Sequence, residues 1–276
     1  MPMSSGPVAR LGSSSSRLRF GEEAKAAGAW AGRRVLSVDG EPAFELSFSC
    51  GTCQFLFRRL EGANTTLSVD ELQDRLTNGI SGFDSDVVAA FSALLPDDDY
   101  LPLLLPMTPR LILPMREGDY FAEEQVATWG LSAFWGLPEF PQTPYYRTFE
   151  TSVGQGAHLF EFVVPMTPPS WNEQDRVAEH ARRLAATSAP TAVAVSTLDV
   201  AQPAMDNQSA DYYEHWGLTH FLLDGHHKLQ AAAETGRPLQ LLALVAMGAS
   251  LATIEQVSAL RTLRAQPAVR RTSGEG

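Results

Sequence analysis

The sequence predicts an α+β protein of two domains, an N-terminal mixed α/β domain of no recognised type and a C-terminal α+β domain. Alternating apolar residues at 43–48 are typical of a strand, and residues 229–236 carry apolar side chains at helical spacing. The length of 276 residues, 44% of them hydrophobic, suffices for one large or two modest cores.

Composition and breaks in the hydrophobic pattern predict the domain organisation. Residues 1–18 are rich in Ser, Gly and Arg and predict a disordered tail. Residues 19–168 form the N-terminal domain. A connecting helix at 169–190 ends at Pro190, and 191–276 form the C-terminal domain.

A hairpin and a short helix are predicted near the start of the N-terminal domain. Strands at 35–38 and 43–48 flank a turn at 39–42 that contains Asp-Gly. The apolar spacing at 55–60 predicts a short helix.

Three longer helices are predicted from capping residues and helical spacing. Ser68 and Glu71 have the spacing of a capping box ahead of a helix at 69–78. Residues 84–95 predict a second amphipathic helix. Asn172 is the predicted N-cap of the connecting helix.

Cys50 and Cys53 are the only cysteines in the chain and have the C-x-x-C spacing. Three interpretations stay open: a zinc site, a redox-active or disulfide-bonded pair after a strand, and two buried apolar cysteines. Two thiolates are too few for a closed zinc site. Zinc binding would therefore need histidines or a second subunit, as in a homodimer.

The pattern at 219–236 predicts a strand, a tight turn and a helix. Gly225 permits the sharp turn, and the helix follows it directly. Lys228 is one of only two lysines, the other being Lys25. Because a helix N terminus attracts anions, we expect the turn to bind a phosphate or carboxylate. For His215 and His220, just before the strand, we expect structural or substrate-lining roles.

Four segments in order resemble the ParB/sulfiredoxin superfamily: a strand at 191–200, the Asp-Gly-His-His-Lys turn at 224–228, its helix, and a closing strand at 239–247. The strand–Gly–helix element of that superfamily binds nucleotide phosphates. The turn is most similar to the branch that contains free-serine kinases, which use a nucleoside diphosphate as phosphoryl donor.

The resemblance implies a site for ATP or ADP with Mg²⁺. It assigns nucleotide binding to four residues of the turn, Gly225, His226, His227 and Lys228. Asp224 and His226 are then catalytic, with Asp224 as partner of the metal or of the acceptor hydroxyl. Asp206 and Glu214 are the candidates for the base that activates the acceptor.

Several activities and partners are not expected. A sulfiredoxin needs a cysteine inside the turn, and residues 224–228 contain none. A DNA-backbone binder needs clustered positive charge, whereas this chain carries a net charge of −11. Apolar runs fall short of the ~20 residues that span a bilayer, so we expect no membrane partner and a cytoplasmic location.

The sequence therefore predicts a nucleotide-dependent phosphotransferase that acts on a small hydroxylated metabolite or amino acid. The alternative is a non-catalytic nucleotide-binding regulator or scaffold, in which the cysteine pair is structural, as a zinc site or buried.

Overall fold

The computed structural model describes residues 3–23, 33–186, 189–205 and 213–269. These ranges contain both helices and strands in mixed sheets, and the predicted α+β class is confirmed. The strands are β1 (Ser4–Ser5), β2 (Ala9–Leu11), β3 (Leu18–Glu23), β4 (Arg33–Val38), β5 (Glu41–Leu46), β6 (Phe57–Arg59), β7 (Asp98–Met107), β8 (Arg110–Ile112), β9 (Tyr145–Gly154), β10 (Ala157–Pro165), β11 (Thr191–Ala201), β12 (Glu214–Asp224) and β13 (Leu239–Ala246). The α-helices are α1 (Gln73–Asn78), α2 (Ser85–Ser92), α3 (Glu124–Trp129), α4 (Gln174–Ala186), α5 (His226–Thr235) and α6 (Ile254–Leu263).

One large sheet organises the molecule. Its strand order is β1-β7-β13-β11-β12-β10-β9-β8, and β2 also pairs with β7. The pairs β10–β12 and β11–β13 are parallel, and the other pairs are antiparallel. The central strands β11 and β13 are buried along almost their whole length, as near-continuous apolar runs such as 239–246 predict.

A second, antiparallel sheet has the order β3-β4-β5-β6. Its β4–β5 hairpin confirms the predicted one. Asp39 and Gly40 form the two-residue turn, with φ of 52° and 87°. Two positive φ angles are what a type I′ turn requires, so Asp-Gly specifies the connection.

The two faces of the large sheet carry different layers. On one face, a core that includes Phe44, Phe91 and Phe221 joins the sheet to the small sheet and to α1 and α2. On the other face, Leu229 and Leu260 join it to α5 and α6, with α4 beside them. Because every layer packs on the same large sheet, the sheet positions all other elements.

The large sheet takes strands from the predicted tail and from both predicted domains. Strands from residues 3–18, from 98–165 and from 191–246 all belong to the large sheet. Residues 169–190 therefore do not separate two independent sheets.

Two local predictions, at residues 55–60 and at Ser68, are wrong. Residues 55–60 contain strand β6 and not a helix, because pairing with β5 fixes Phe57 opposite Leu46 in the core. Ser68 does not cap a helix: a 3₁₀ turn at Asp70–Leu72 precedes α1, and no side chain caps it. The predicted helix at 84–95 is confirmed as α2, which Asp84 caps.

An ion pair between two buried side chains joins the sheets. Arg34 on β4 donates two hydrogen bonds of 2.9 Å to the carboxylate of Asp199 on β11. Arg34 also donates to the backbone oxygens of Ser47 and Ala249. The guanidinium thus uses its planar fork to hold three segments together.

A set of polar residues between the large sheet and α6, all buried except the half-buried Thr148, is called the Glu161 cluster here. It consists of Glu161, Thr148, Ser196, His220 and Arg264. Arg264 Nε lies 2.7 Å from Glu161 Oε2, and Thr148 Oγ1 donates to Oε1 at 2.6 Å. His220 Nδ1 lies 2.7 Å from Ser196 Oγ, and its Nε2 lies 3.8 Å from Glu161 Oε2. Burial raises the pKa of Glu161, but Arg264, His220 and Thr148 outweigh it and lower the pKa to about 2.

None of the helices in the described ranges combines the length and the apolar composition that crossing a bilayer takes.

Candidate functional site

The turn between β12 and α5 confirms the predicted strand, turn and helix. Gly225 has a φ of +99°, and α5 starts at the next residue. A Cβ at Gly225 would lie 2.7 Å from the Cβ of Ala192 on β11. Glycine is therefore required both by the left-handed backbone and by the close approach of β11.

Asp224 and Lys228 form a buried ion pair one helical turn apart. Lys228 Nζ donates to Asp224 Oδ2 at 3.0 Å and to the backbone oxygen of Thr191 at 3.1 Å. Ser68 Oγ and Gln73 Nε2 donate to Oδ1 at 2.8 and 3.2 Å. Burial raises the pKa of Asp224, but these three donors outweigh it and hold the pKa below its usual value. The carboxylate is thus ionised, and Asp224, Lys228, Ser68 and Gln73 are called the Asp224 cluster here.

His226 and His227 both accept hydrogen bonds from the backbone. Nε2 of His226 accepts from the N–H of Met166 at 3.0 Å, and Nε2 of His227 accepts from the N–H of Glu173 at 3.2 Å. Burial lowers the pKa of His226 to about 4. The ring of His226 is therefore neutral at pH 7 with its proton on Nδ1, which leaves Nδ1–H as its only donor.

A polar cavity of about 70 Å³ lies at the N terminus of α5. This is room for a few water molecules or one phosphate group. No side chain caps α5, and its first residues line the cavity, so the unpaired N–H groups of its first turn lie there. The lining consists of Thr66, Ser68, Gln73, Arg176, His180, Asp224, Gly225, His226, His227 and Lys228.

Helix α4 brings two of these basic residues to the cavity. The Arg176 side chain is 52% exposed, and its contact with Glu173 is long, at 3.7 Å. Burial and the nearby charge of Lys228 lower the pKa of His180 to about 4. Burial and the charge of Arg176 likewise lower the pKa of His227. Lys228 is engaged by Asp224, so the exposed positive charge at the cavity at pH 7 is that of Arg176.

This arrangement suits an anion and does not fit a magnesium ion held by the protein. Both oxygens of Asp224 already accept hydrogen bonds from Ser68, Gln73 and Lys228. Within the described ranges, no group of three His, Cys, Asp or Glu side chains is placed to hold a metal. The N–H groups of α5, Lys228 and Arg176 supply donors and positive charge, the requirements of a phosphate or carboxylate.

The other predicted catalytic residues are not at this cavity. Glu214 begins β12 and Asp224 ends it, which places them roughly 30 Å apart at about 3.3 Å per residue. Glu214 accepts a hydrogen bond from Trp216 Nε1 at 2.7 Å. Glu214 therefore does not act as a base beside Asp224. Asp206 lies outside the described residues.

Cys50 and Cys53 lie in a turn near the end of β11, whereas the cavity lies near its start. The backbone N–H of Gln202 donates to the oxygen of Gly51 at 2.9 Å. Strand β6 follows the turn, so the thioredoxin-like order of strand, cysteines and helix is not found. His215, close to this edge, has Tyr120 and Thr128 within hydrogen-bond distance of its two ring nitrogens, at 2.8 and 2.9 Å. These contacts make His215 a residue of the core.

Sequence reasoning missed five residues that line the cavity: Thr66, Ser68, Gln73, Arg176 and His180. Ser68 and Gln73 lie more than 150 positions before Asp224. Asn172, predicted as a helix cap, instead donates to Gln230 Oε1 at 2.8 Å on α5. The helical spacing of Arg176 and His180 (i, i+4) was the one signal that both share a face of α4.

Comparison of the chain with protein-family models, with curated proteins and with solved structures found no match.

Proposed function

We propose that this protein binds a nucleotide, ATP or ADP, through its terminal phosphate at the α5 cavity and transfers that phosphoryl group to a small hydroxylated metabolite or amino acid. One observation carries the proposal. A helix N terminus without a capping side chain meets Lys228 and the exposed Arg176 at a cavity the size of a phosphate group.

Each part of the cavity has a distinct task in this proposal. The first N–H groups of α5 bind phosphate oxygens, since they have no partner within the helix. Arg176 neutralises the phosphate from the rim. Asp224 acts as a positioning residue, because it holds Lys228 rather than the ligand. The nucleoside lies outside the cavity, over its rim.

A non-catalytic nucleotide-binding regulator is the second candidate. It is favoured by the composition of the cavity, whose described lining contains a single carboxylate, Asp224. That carboxylate already accepts three hydrogen bonds. A base for the acceptor hydroxyl would then have to come from the substrate, or the protein binds without turnover.

The first experiment measures binding with two matched variants. Arg176 and Arg183 are both on α4, with side chains 52% and 50% exposed and each beside a glutamate, but only Arg176 lines the cavity. We expect Arg176→Ala to weaken calorimetric binding of a nucleoside diphosphate about tenfold, or about 1.4 kcal/mol. Arg183→Ala should leave it unchanged, and unfolding free energies of both should stay within about 0.5 kcal/mol of the wild type.

The ligand series tests the phosphate requirement and the chemistry. Nucleoside di- and triphosphates of all four bases should raise the melting temperature, whereas the nucleosides should not. Phosphorus NMR with a set of small hydroxylated acceptors then measures transfer. Binding without transfer supports the regulator. Equal binding by Arg176→Ala and Arg183→Ala, or no binding at millimolar nucleotide, contradicts both candidates.

A further inference from the structure

The Cys50–Cys53 turn has the geometry of a dithiol that closes into a disulfide. The N–H of Cys53 donates to the oxygen of Cys50 at 3.2 Å, and both side chains are partly exposed. A turn closed in this way keeps its first and last Cα atoms within about 7 Å. A disulfide needs Cα atoms about 4.4–6.8 Å apart, so the two sulfurs can bond with little movement of the chain.

The surrounding structure holds this turn in place from two sides. Gly51 accepts a hydrogen bond from the backbone of Gln202, after β11. Thr52 accepts one from Trp129 Nε1 on α3 at 3.1 Å, and Phe55 N–H donates to Gln125 Oε1 at 2.9 Å. The anchors lie on the backbone of the turn and on the residue that follows it. The thiols themselves are left accessible.

The two thiols differ in chemistry. Hydrogen bonds from the side chains of Cys53 and Thr52 lower the pKa of Cys50 to about 7, and Thr52 Oγ1 lies 3.1 Å from the Cys50 sulfur. Burial, together with the neighbouring Cys50, raises the pKa of Cys53 to about 11. Near neutral pH, a large fraction of Cys50 is the thiolate and Cys53 keeps its proton. This is the asymmetry of an attacking and a resolving thiol.

We propose that Cys50 and Cys53 form a thiol–disulfide exchange site that reacts with a small disulfide of the glutathione type. The site lies at the opposite end of β11 from the α5 cavity, and the proposal is independent of the proposed phosphotransfer.

The exchange balances without any other reactant. The Cys50 thiolate attacks one sulfur of the small disulfide, whose S–S bond breaks and releases one thiolate. Cys53 then loses its proton to solvent, and its sulfur attacks Cys50 in the mixed disulfide. The Cys50–Cys53 bond forms and the second small thiolate leaves. The protein loses two electrons and two protons, and the small disulfide becomes two thiols.

Zinc is the competing use of the same pair. In the described parts of the chain, no third His, Cys, Asp or Glu joins the two thiols in a metal-binding group. A zinc ion would then need ligands from a second subunit. Elemental analysis of the purified protein separates the two cases, since ligation requires about one zinc per chain or per pair of chains.

The test uses the full chain in buffers of reduced and oxidised glutathione. Intact mass should fall by about 2 Da on oxidation, and peptide mapping should place the bond between Cys50 and Cys53. The ratio of oxidised to reduced protein should change tenfold when the buffer's ratio of oxidised glutathione to the square of reduced glutathione changes tenfold. A two-electron couple requires this proportion.

Single serine variants assign the roles. Cys53→Ser should accumulate a mixed disulfide on Cys50, whereas Cys50→Ser should react at least about tenfold more slowly because Cys53 is protonated. Tryptophan fluorescence, to which Trp129 beside the turn contributes, should change on oxidation of the wild type and change less in Cys53→Ser. Stoichiometric zinc with protected thiols, equal reactivity of both single variants, or mixed disulfides that never resolve in the wild type would overturn the proposal.

Discussion

The Asp224 cluster and the Glu161 cluster contain the same kinds of groups in different surroundings. Each has a buried carboxylate, a cation and a hydroxyl donor, with a histidine beside it. Glu161 is enclosed between the sheet and α6, with the Arg264 guanidinium stacked over Phe149 at 4.0 Å. Asp224 is also buried but borders a cavity, and Ser68 beside it is exposed.

This difference separates stability from binding. A charged cluster that no ligand can reach fixes how the layers pack. Removing one partner of its ion pair leaves an unpaired charge in the core. A cluster beside a cavity exchanges its partners with water or with a ligand at much smaller cost. Residue types alone do not distinguish the two cases, and access to the carboxylate does.

The largest effect is expected for Arg264→Met. The substitution leaves Glu161 buried without its cation, and we expect a loss of about 3–5 kcal/mol in unfolding free energy, measured with urea at pH 7. Arg10→Met is the control, since Arg10 pairs with Asp97 at the surface, where solvent screens the pair, and it should lower the unfolding free energy far less. Equal losses in the two variants would show that the Glu161 cluster is not enclosed in solution.

A pair of hydroxyl deletions compares the clusters directly. Thr148→Val removes the donor to Glu161, and we expect a cost of about 1.5–3 kcal/mol because the carboxylate is enclosed. Ser68→Ala removes the corresponding donor to Asp224 and should cost about 1 kcal/mol or less, because water in the cavity replaces the hydroxyl. A larger loss for Ser68→Ala than for Thr148→Val would reverse the distinction between the two clusters.

A gradual effect is the pH dependence of stability that comes from His226. Its pKa is about 4 in the folded protein and about 6.5 in an unfolded chain. The unfolded state therefore binds a proton first as pH falls, so stability is complete above about 6.5 and is lost toward about 4. His226→Gln keeps an acceptor for Met166 and removes at most about 1.4 kcal/mol per pH unit of that slope. An unchanged slope in the variant would mean that His226 does not stay neutral when folded.

Local features were predictable from the sequence, and long-range ones were not. The Asp39–Gly40 hairpin, helix α2 and the turn at Gly225 depend on residues within a few positions, and each was predicted. The Asp224–Lys228 contact is also local, at i, i+4. Strand β6 was predicted as a helix because the apolar spacing of residues 55–60 alone does not indicate that they pair with β5.

The cavity shows the same limit. The turn at 224–228 contains half of the residues that line the cavity, and these were predicted. Ser68, Gln73 and Arg176 come from segments far away in the sequence. Their side chains carry no local signal of a shared carboxylate or cavity. The ion pair changes the interpretation of Lys228 as well, because its charge is already engaged by Asp224 before any ligand arrives.

Strand β7 has a consequence for how the chain is synthesised. Tyr100 pairs with Ala9 on one side and with Ala246 on the other. At about 5–20 residues per second, a ribosome needs roughly 7–30 s to reach β13 after it completes β7. Throughout that interval an apolar strand has an open edge and can recruit other chains. Pro102 and Pro106 lack N–H groups only on the opposite edge, where Pro102 O accepts from the N–H of Gly6, so the edge that waits for β13 keeps its donors.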